Sequence, residues 1–92
     1  MSVRAKFKVD SYSTYLSTRK VGRNEKGVDV YEPVEMRTIV LSPVYGNGDP
    51  NHENTKFWQY SPSGKIELGT INPDAWKQFE LGKEYYIDFT AA

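Results

Sequence analysis

Aromatic rings set beside basic and hydroxyl side chains are the residues of this sequence best equipped for chemistry. Tyr12 and Tyr15 follow Lys8, Tyr45 precedes a polar loop, and Trp58 and Tyr60 run into Ser61-Pro62-Ser63-Gly64-Lys65. Flat rings stack on nucleobases for about 1–3 kcal/mol each, while Arg, Lys, hydroxyls and turn amides hold phosphates. The binding set so defined is Tyr12, Arg37, Trp58, Tyr60, Ser61, Ser63 and Lys65. It suits a nucleotide or a single-stranded nucleic acid. The competing use of the same rings is interior packing and cross-strand pairing. In a flat strand Phe57 and Trp58 point to opposite faces, which would leave one ring of that segment available.

Constellations for catalysis are missing. His52 is the only histidine, so a multi-His metal site is impossible, and a Ser-His-Asp arrangement would have to use an imidazole in a polar, solvated loop. Asp49, Asn51 and Glu53 have the every-second-residue spacing with which a calcium loop begins. Its sixth position is Asn54 rather than Gly, however, and its twelfth is Tyr60 rather than a bidentate Glu. Gly46-Asn47-Gly48 lacks the third glycine and following helix of a dinucleotide fingerprint and reads as turn chemistry. The expectation is a binding protein that is not an enzyme and uses neither cofactor nor metal.

The elements that must position these residues belong to one domain, 1–92, with one core. The seven Tyr, four Phe and two Trp supply the bulk that a chain this short needs. Without cysteine there is neither a disulfide framework nor a thiolate metal site, and a reducing compartment is the simplest setting. The first ten residues lack the apolar stretch of a signal peptide, and no apolar run reaches the ~20 residues that span a bilayer, which predicts a cytoplasmic protein. Twelve basic residues balance twelve acidic ones. The excess of Arg4, Lys6, Lys8, Arg19, Lys20, Arg23 and Lys26 over Asp10 and Glu25 suggests a local basic surface, against the alternative of a solvated strand face and loop.

Val3, Ala5, Phe7 and Val9 alternate with charged neighbours, the period-2 signature of a half-buried strand. That strand continues through Leu16, with a parity shift that predicts a bulge. Ser17–Glu32 has no sustained period and reads as a long hairpin or mobile loop. Pro33 opens a second strand, Val34–Leu41, with Val34, Met36 and Val40 facing in and Glu35 and Arg37 facing out. The polar run from Gly46 to Thr55 reads as a loop with neither strand nor helix. Lys56–Tyr60, the Ser61–Gly64 turn and Ile66–Leu68 read as a β-hairpin. Asn72-Pro73-Asp74 starts a helix over about 73–81, with Trp76 and Phe79 plugged into the sheet and Gly82 as its stop. Glu84–Thr90 is a final strand. The economical closure is mainly β: a small antiparallel barrel or sandwich of five or six strands with one short helix before the last strand.

The run KFW-x-x-SPSG-x-I-x-L-x-x-x-N over Lys56–Asn72, then A-x-x-x-F-x-x-GK-x-YYIDF over Ala75–Phe89, resembles a widespread set of small tailed-bacteriophage proteins. Arg4–Ser11 and Leu41–Gly46 are similar to them too, while Ser17–Glu32 looks like an insertion. The resemblance implies a phage protein acting in the bacterial host cell, and implies no ligand residue. By analogy with small phage proteins that sequester nucleotides, the expected function is a sponge for cyclic di- or trinucleotide immune signals, acting as a homo-oligomer without membrane contact. The alternatives are a single-stranded nucleic-acid-binding protein and a virion structural or host-interaction protein.

Overall fold

The alternation at the N-terminus buries Ala5, Phe7 and Val9 on one face of β1 (Ser2–Arg23). The computed structural model describes residues 2–47, 49–59 and 61–92. β1 pairs antiparallel with β2 (Asp29–Pro43) on one side and with β4 (Glu84–Thr90) on the other, and β3 (Ile66–Thr70) pairs antiparallel with β2. The result is an open four-stranded sheet of order β3-β2-β1-β4, not a closed barrel or a sandwich of five or six strands. The expected parity shift is a bulge between Val9 and Ser11, after which Tyr12 takes the inner face opposite Ile39.

The second strand faces the other way from its apolar alternation. Ile39 and Leu41 are 1% exposed and form the core with Val9, whereas Val34, Met36 and Val40 lie on the opposite face, half-buried. The pairing of Val9 with Leu41 and Tyr12 with Ile39 sets this orientation, because opposed residues share a face and one register decides every side chain along the strand. Glu35 and Arg37 therefore lie on the inner-face row, a reversal of the outward position expected for them.

Of the two expectations for Ser17–Glu32, the long hairpin is the one the structure shows, and the mobile loop is not. β1 and β2 run on past the ends of β3 and β4 as a two-stranded arm closed by Asn24, whose side chain accepts from the N–H groups of Lys26 and Val28. Beyond Tyr15 and Met36 the arm adds eight residues of β1 and seven of β2, or roughly 25 Å. It stretches the molecule to 63 × 29 × 20 Å, with a radius of gyration of 18.3 Å, against about 12 Å for a compact chain of this size. Pro33 is tolerated inside β2 because it lies opposite Thr18, at a position that needs no N–H toward β1, and on its other side β3 has already ended.

α1 (Glu53–Trp58) replaces the strand expected over Lys56–Tyr60 and arises inside the stretch expected to hold no helix. His52 caps it, its Nδ1 accepting from the Asn54 N–H at 3.1 Å, so this imidazole is half-buried rather than solvated. Strand propensity yields here to a tertiary fit. β2 leaves β1 after Pro43, and the Asn54 side chain, 0% exposed, takes its place against Lys6. Gly46 lies so close to α1 that a Cβ there would collide with the Thr55 hydroxyl.

α2 (Pro73–Trp76) starts as expected, with Asn72 Oδ1 accepting from the Asp74 N–H at 3.0 Å and Pro73 in the first turn. It is shorter than 73–81; turn hydrogen bonds carry the chain on to Phe79. Trp76 is buried, and Phe79 packs against the same core, as expected of both rings. Two hydroxyls fasten the segment down: Tyr12 donates to the Phe79 carbonyl, while Tyr85 donates to the Gln78 carbonyl and accepts from the Glu80 N–H. Among the described residues no helix is long and apolar enough to cross a membrane.

Candidate ligand site

The residues chosen from the sequence do not converge. Tyr12 and Arg37 meet on the inner face, while Trp58, Ser61, Ser63 and Lys65 belong to α1 and the segment before β3; Tyr60 lies outside the described residues. Trp58 is largely committed to packing: its ring lies 6.0 Å from Phe7 and 4.5 Å from Phe57, and its Nε1 donates to the Ser63 carbonyl at 3.1 Å. Lys65 is exposed beside Glu67, and Ser61 borders a shallow depression with Tyr45 and Thr55.

The basic surface suggested by the sequence is largely neutralised in the fold. Arg4 pairs with Asp88 across β1 and β4 (Nε to Oδ1, 2.7 Å), and Lys6 lies 4.0 Å from Glu84. On the arm Arg19 pairs with Glu32 at 2.7 Å, and Lys20 and Arg23 share Asp29 at 3.1 Å each. These acids follow the cations by six to thirteen residues in sequence and meet them only because the hairpin folds back on itself.

Arg37 is the exception among the arginines. No carboxylate pairs with it among the described residues. Its guanidinium carbon lies 4.9 Å from the Trp76 ring centre and 5.3 Å from that of Tyr12. The rings attract the cation through their quadrupoles and hold it in place. Its Nε is buried and has no acceptor, a condition that ordinarily costs the desolvation of a charged donor. Thr14 on β1 and Thr70 on β3 stand directly opposite Arg37 in the two flanking strands. The row Thr14–Arg37–Thr70 thus spans three strands on one face, where the covering of the core ends and the arm begins. Thr70 Oγ1 accepts from the Asn72 N–H at 3.1 Å, which leaves its own proton free to donate.

Burial pushes the Tyr12 phenol above its ordinary range, with the nearby Tyr85 adding to the effect, so Tyr12 stays neutral and bonded to the Phe79 carbonyl. Thr14, Thr70 and Trp76 were not among the site residues chosen from the sequence; only strand register brings the two hydroxyls beside Arg37, and no local pattern announces it. Among the described residues no group of three or more His, Asp or Glu side chains could hold a metal, and Asp49 instead accepts from the Asn51 N–H within its own turn.

No protein-family model, no curated protein and no solved structure matches the chain. The functional reading therefore rests on the geometry of this row and on the sequence.

Proposed function

We propose that the chain is a non-catalytic binding protein that holds the phosphate of a nucleotide at Arg37. The observation that carries this reading is the guanidinium itself. It is fixed over Trp76 and Tyr12, lacks a carboxylate partner, has a buried Nε with no acceptor, and is flanked by two threonines. A phosphate would pair with the terminal nitrogens of the guanidinium and accept from a flanking threonine hydroxyl, and planar guanidinium groups favour that geometry. Trp76, at 7% exposure, offers no face to a base, so the phosphate contact at Arg37 carries the reading. A cyclic oligonucleotide immune signal, sequestered without turnover, is the ligand that fits the phage-like sequence pattern.

Calorimetry with a panel of cyclic di- and trinucleotides and with inorganic phosphate tests the proposal. Saturable binding of one nucleotide, lost in Arg37→Met, supports it. Heats indistinguishable from dilution at tens of micromolar protein across the whole panel would remove it. Affinity that grows with oligonucleotide length and collapses with salt would instead favour single-stranded nucleic-acid binding.

A further inference from the structure

The open edge of β4 carries its own complement. Lys6 exchanges main-chain bonds with Asn54 and Val44 on the side away from β4, so Lys6 and Tyr86 face each other as a non-hydrogen-bonded pair. By alternation Tyr85, Ile87 and Phe89 turn their N–H and C=O groups toward β1, and Glu84, Tyr86, Asp88 and Thr90 turn theirs outward. The Val9 N–H and C=O, which bond to Lys83 and Gly82 on the β4 side, agree with that parity. β4 is terminal in the sheet, and among the described residues no backbone group beyond β1 bonds to it.

Apart from the charges of Glu84 and Asp88, the usual guards of a free edge are absent. Glu84–Thr90 contains no lysine, no proline and no bulge. The edge also borders an apolar groove of about 610 Å³ lined on its floor by Ile66, Leu68, Phe79, Tyr85, Ile87 and Phe89. Tyr86 and Asp88 line it too, although their side chains belong to the other face; the groove therefore reaches the outward main-chain groups themselves.

We infer that two copies of this chain associate through β4, edge to edge and antiparallel about a two-fold axis at Ile87, to form one continuous eight-stranded sheet. Charge selects this register. Outward-facing residues must pair with outward-facing residues, which allows alignments two residues apart. One alignment would oppose Asp88 to its own copy, another would oppose Glu84 to Asp88, and both place like charges face to face. The alignment about Ile87 sets Tyr86 opposite Asp88 and Glu84 opposite Thr90, and it alone uses the whole strand. Each Asp88 arrives already paired with its own Arg4, so the joint buries no lone carboxylate. About eight main-chain hydrogen bonds form, two per facing pair. On the inner face Ile87 meets Ile87 and Tyr85 meets Phe89, which covers a phenylalanine that is 48% exposed in the single chain. An isologous contact of this kind closes on itself and leaves free the β3 edges and the edges of the arm.

Amide hydrogen exchange on the unmodified protein, read residue by residue against concentration, tests the joint. Below the dissociation constant the amides of Tyr85, Ile87 and Phe89 should be protected and those of Tyr86 and Asp88 open; above it Tyr86 and Asp88 should join the protected set as sedimentation reports a dimer. Tyr86→Pro removes an outward N–H while sparing the β1 ladder, and Phe89→Lys places a charge in the joint. Each should weaken the dimer by at least about tenfold. A monomer throughout the high-micromolar range, or a dimer in which Tyr86 and Asp88 still exchange freely, as pairing through β3 or the arm would give, overturns the inference. The native exchange pattern decides the question even if a variant fails to fold.

Discussion

Asn54 pairs with Lys6 as a neighbouring strand would: its Oδ1 accepts from the Lys6 N–H at 2.7 Å and its Nδ2 donates to the Lys6 carbonyl at 2.8 Å. A third bond, from Nδ2 to the Val44 carbonyl at 2.6 Å, ties down the departing end of β2. Because the side chain is fully buried, these groups have no water to fall back on.

Asn54→Ala is expected to destabilise the fold by about 2–4 kcal/mol, since buried donors and acceptors are left unmet. Asn54→Asp should be at least as damaging, because a carboxylate would face two carbonyls. Urea denaturation measures both; a change below about 0.5 kcal/mol would show that Lys6 is satisfied in another way.

Arg37→Met keeps most of the packing against Trp76 and Tyr12 while removing the buried donor. Its stability should equal that of the parent or exceed it by about 1 kcal/mol. A loss above about 2 kcal/mol in thermal unfolding would mean that the guanidinium is structural, and would weaken its assignment to a ligand.

Two carboxylates predict the acid limb of stability. Asp88 is held below the ordinary range by its hydrogen bond to Arg4, and Glu53 by its own backbone N–H in the first turn of α1, helped by the Tyr86 hydroxyl. Both bind protons more weakly in the folded state. Their contribution is therefore complete above the unfolded carboxylate range and is lost as the pH falls through the lower, folded values. The loss should be modest because Arg4 and Asp88 side chains are 53% and 48% exposed. Denaturation midpoints compared at neutral pH and across the acid limb should show a shallower decline in Asp88→Asn and Glu53→Gln than in the parent; identical slopes would refute the assignment.

The arm should open without the core. Leu16 and Tyr31 are 79% and 57% exposed there, and a two-stranded ribbon with no covering layer is marginal in water. Amides beyond Tyr15 are expected to exchange at least about a hundredfold faster than those of Val9 and Ile39. Replacing residues 18–33 with Asn-Gly should leave the remaining domain folded, because Ser17 and Val34 are directly opposed and suit a two-residue turn. A truncated chain that fails to fold would show that the arm supports the core.

Local sequence sufficed where one residue's neighbours along the chain are also the source of its signal. The alternation of Ala5, Phe7 and Val9, the bulge before Tyr12, the Asn72-Pro73 helix start and the final strand carrying Tyr85 and Ile87 all belong to that kind. Lys56–Trp58 failed because its β-favouring rings were read without the His52 cap and Asn54, whose value depends on where β2 leaves Lys6. Arg37 failed in the same way: Met36 and Arg37 exchange faces with a one-residue change of register, and the register is set across the sheet by Val9 and Leu41.

What the amino-acid order determined alone was a mainly β chain with an aromatic-rich interior and a capped turn of helix. Only the tertiary structure decided that the middle segment is a paired arm, that most early cations are spoken for, and that Arg37 stands between two threonines without a carboxylate. The physical reason is range: propensity and periodicity act over a few residues, whereas ion pairing, strand register and the fate of an open edge depend on residues tens of positions apart.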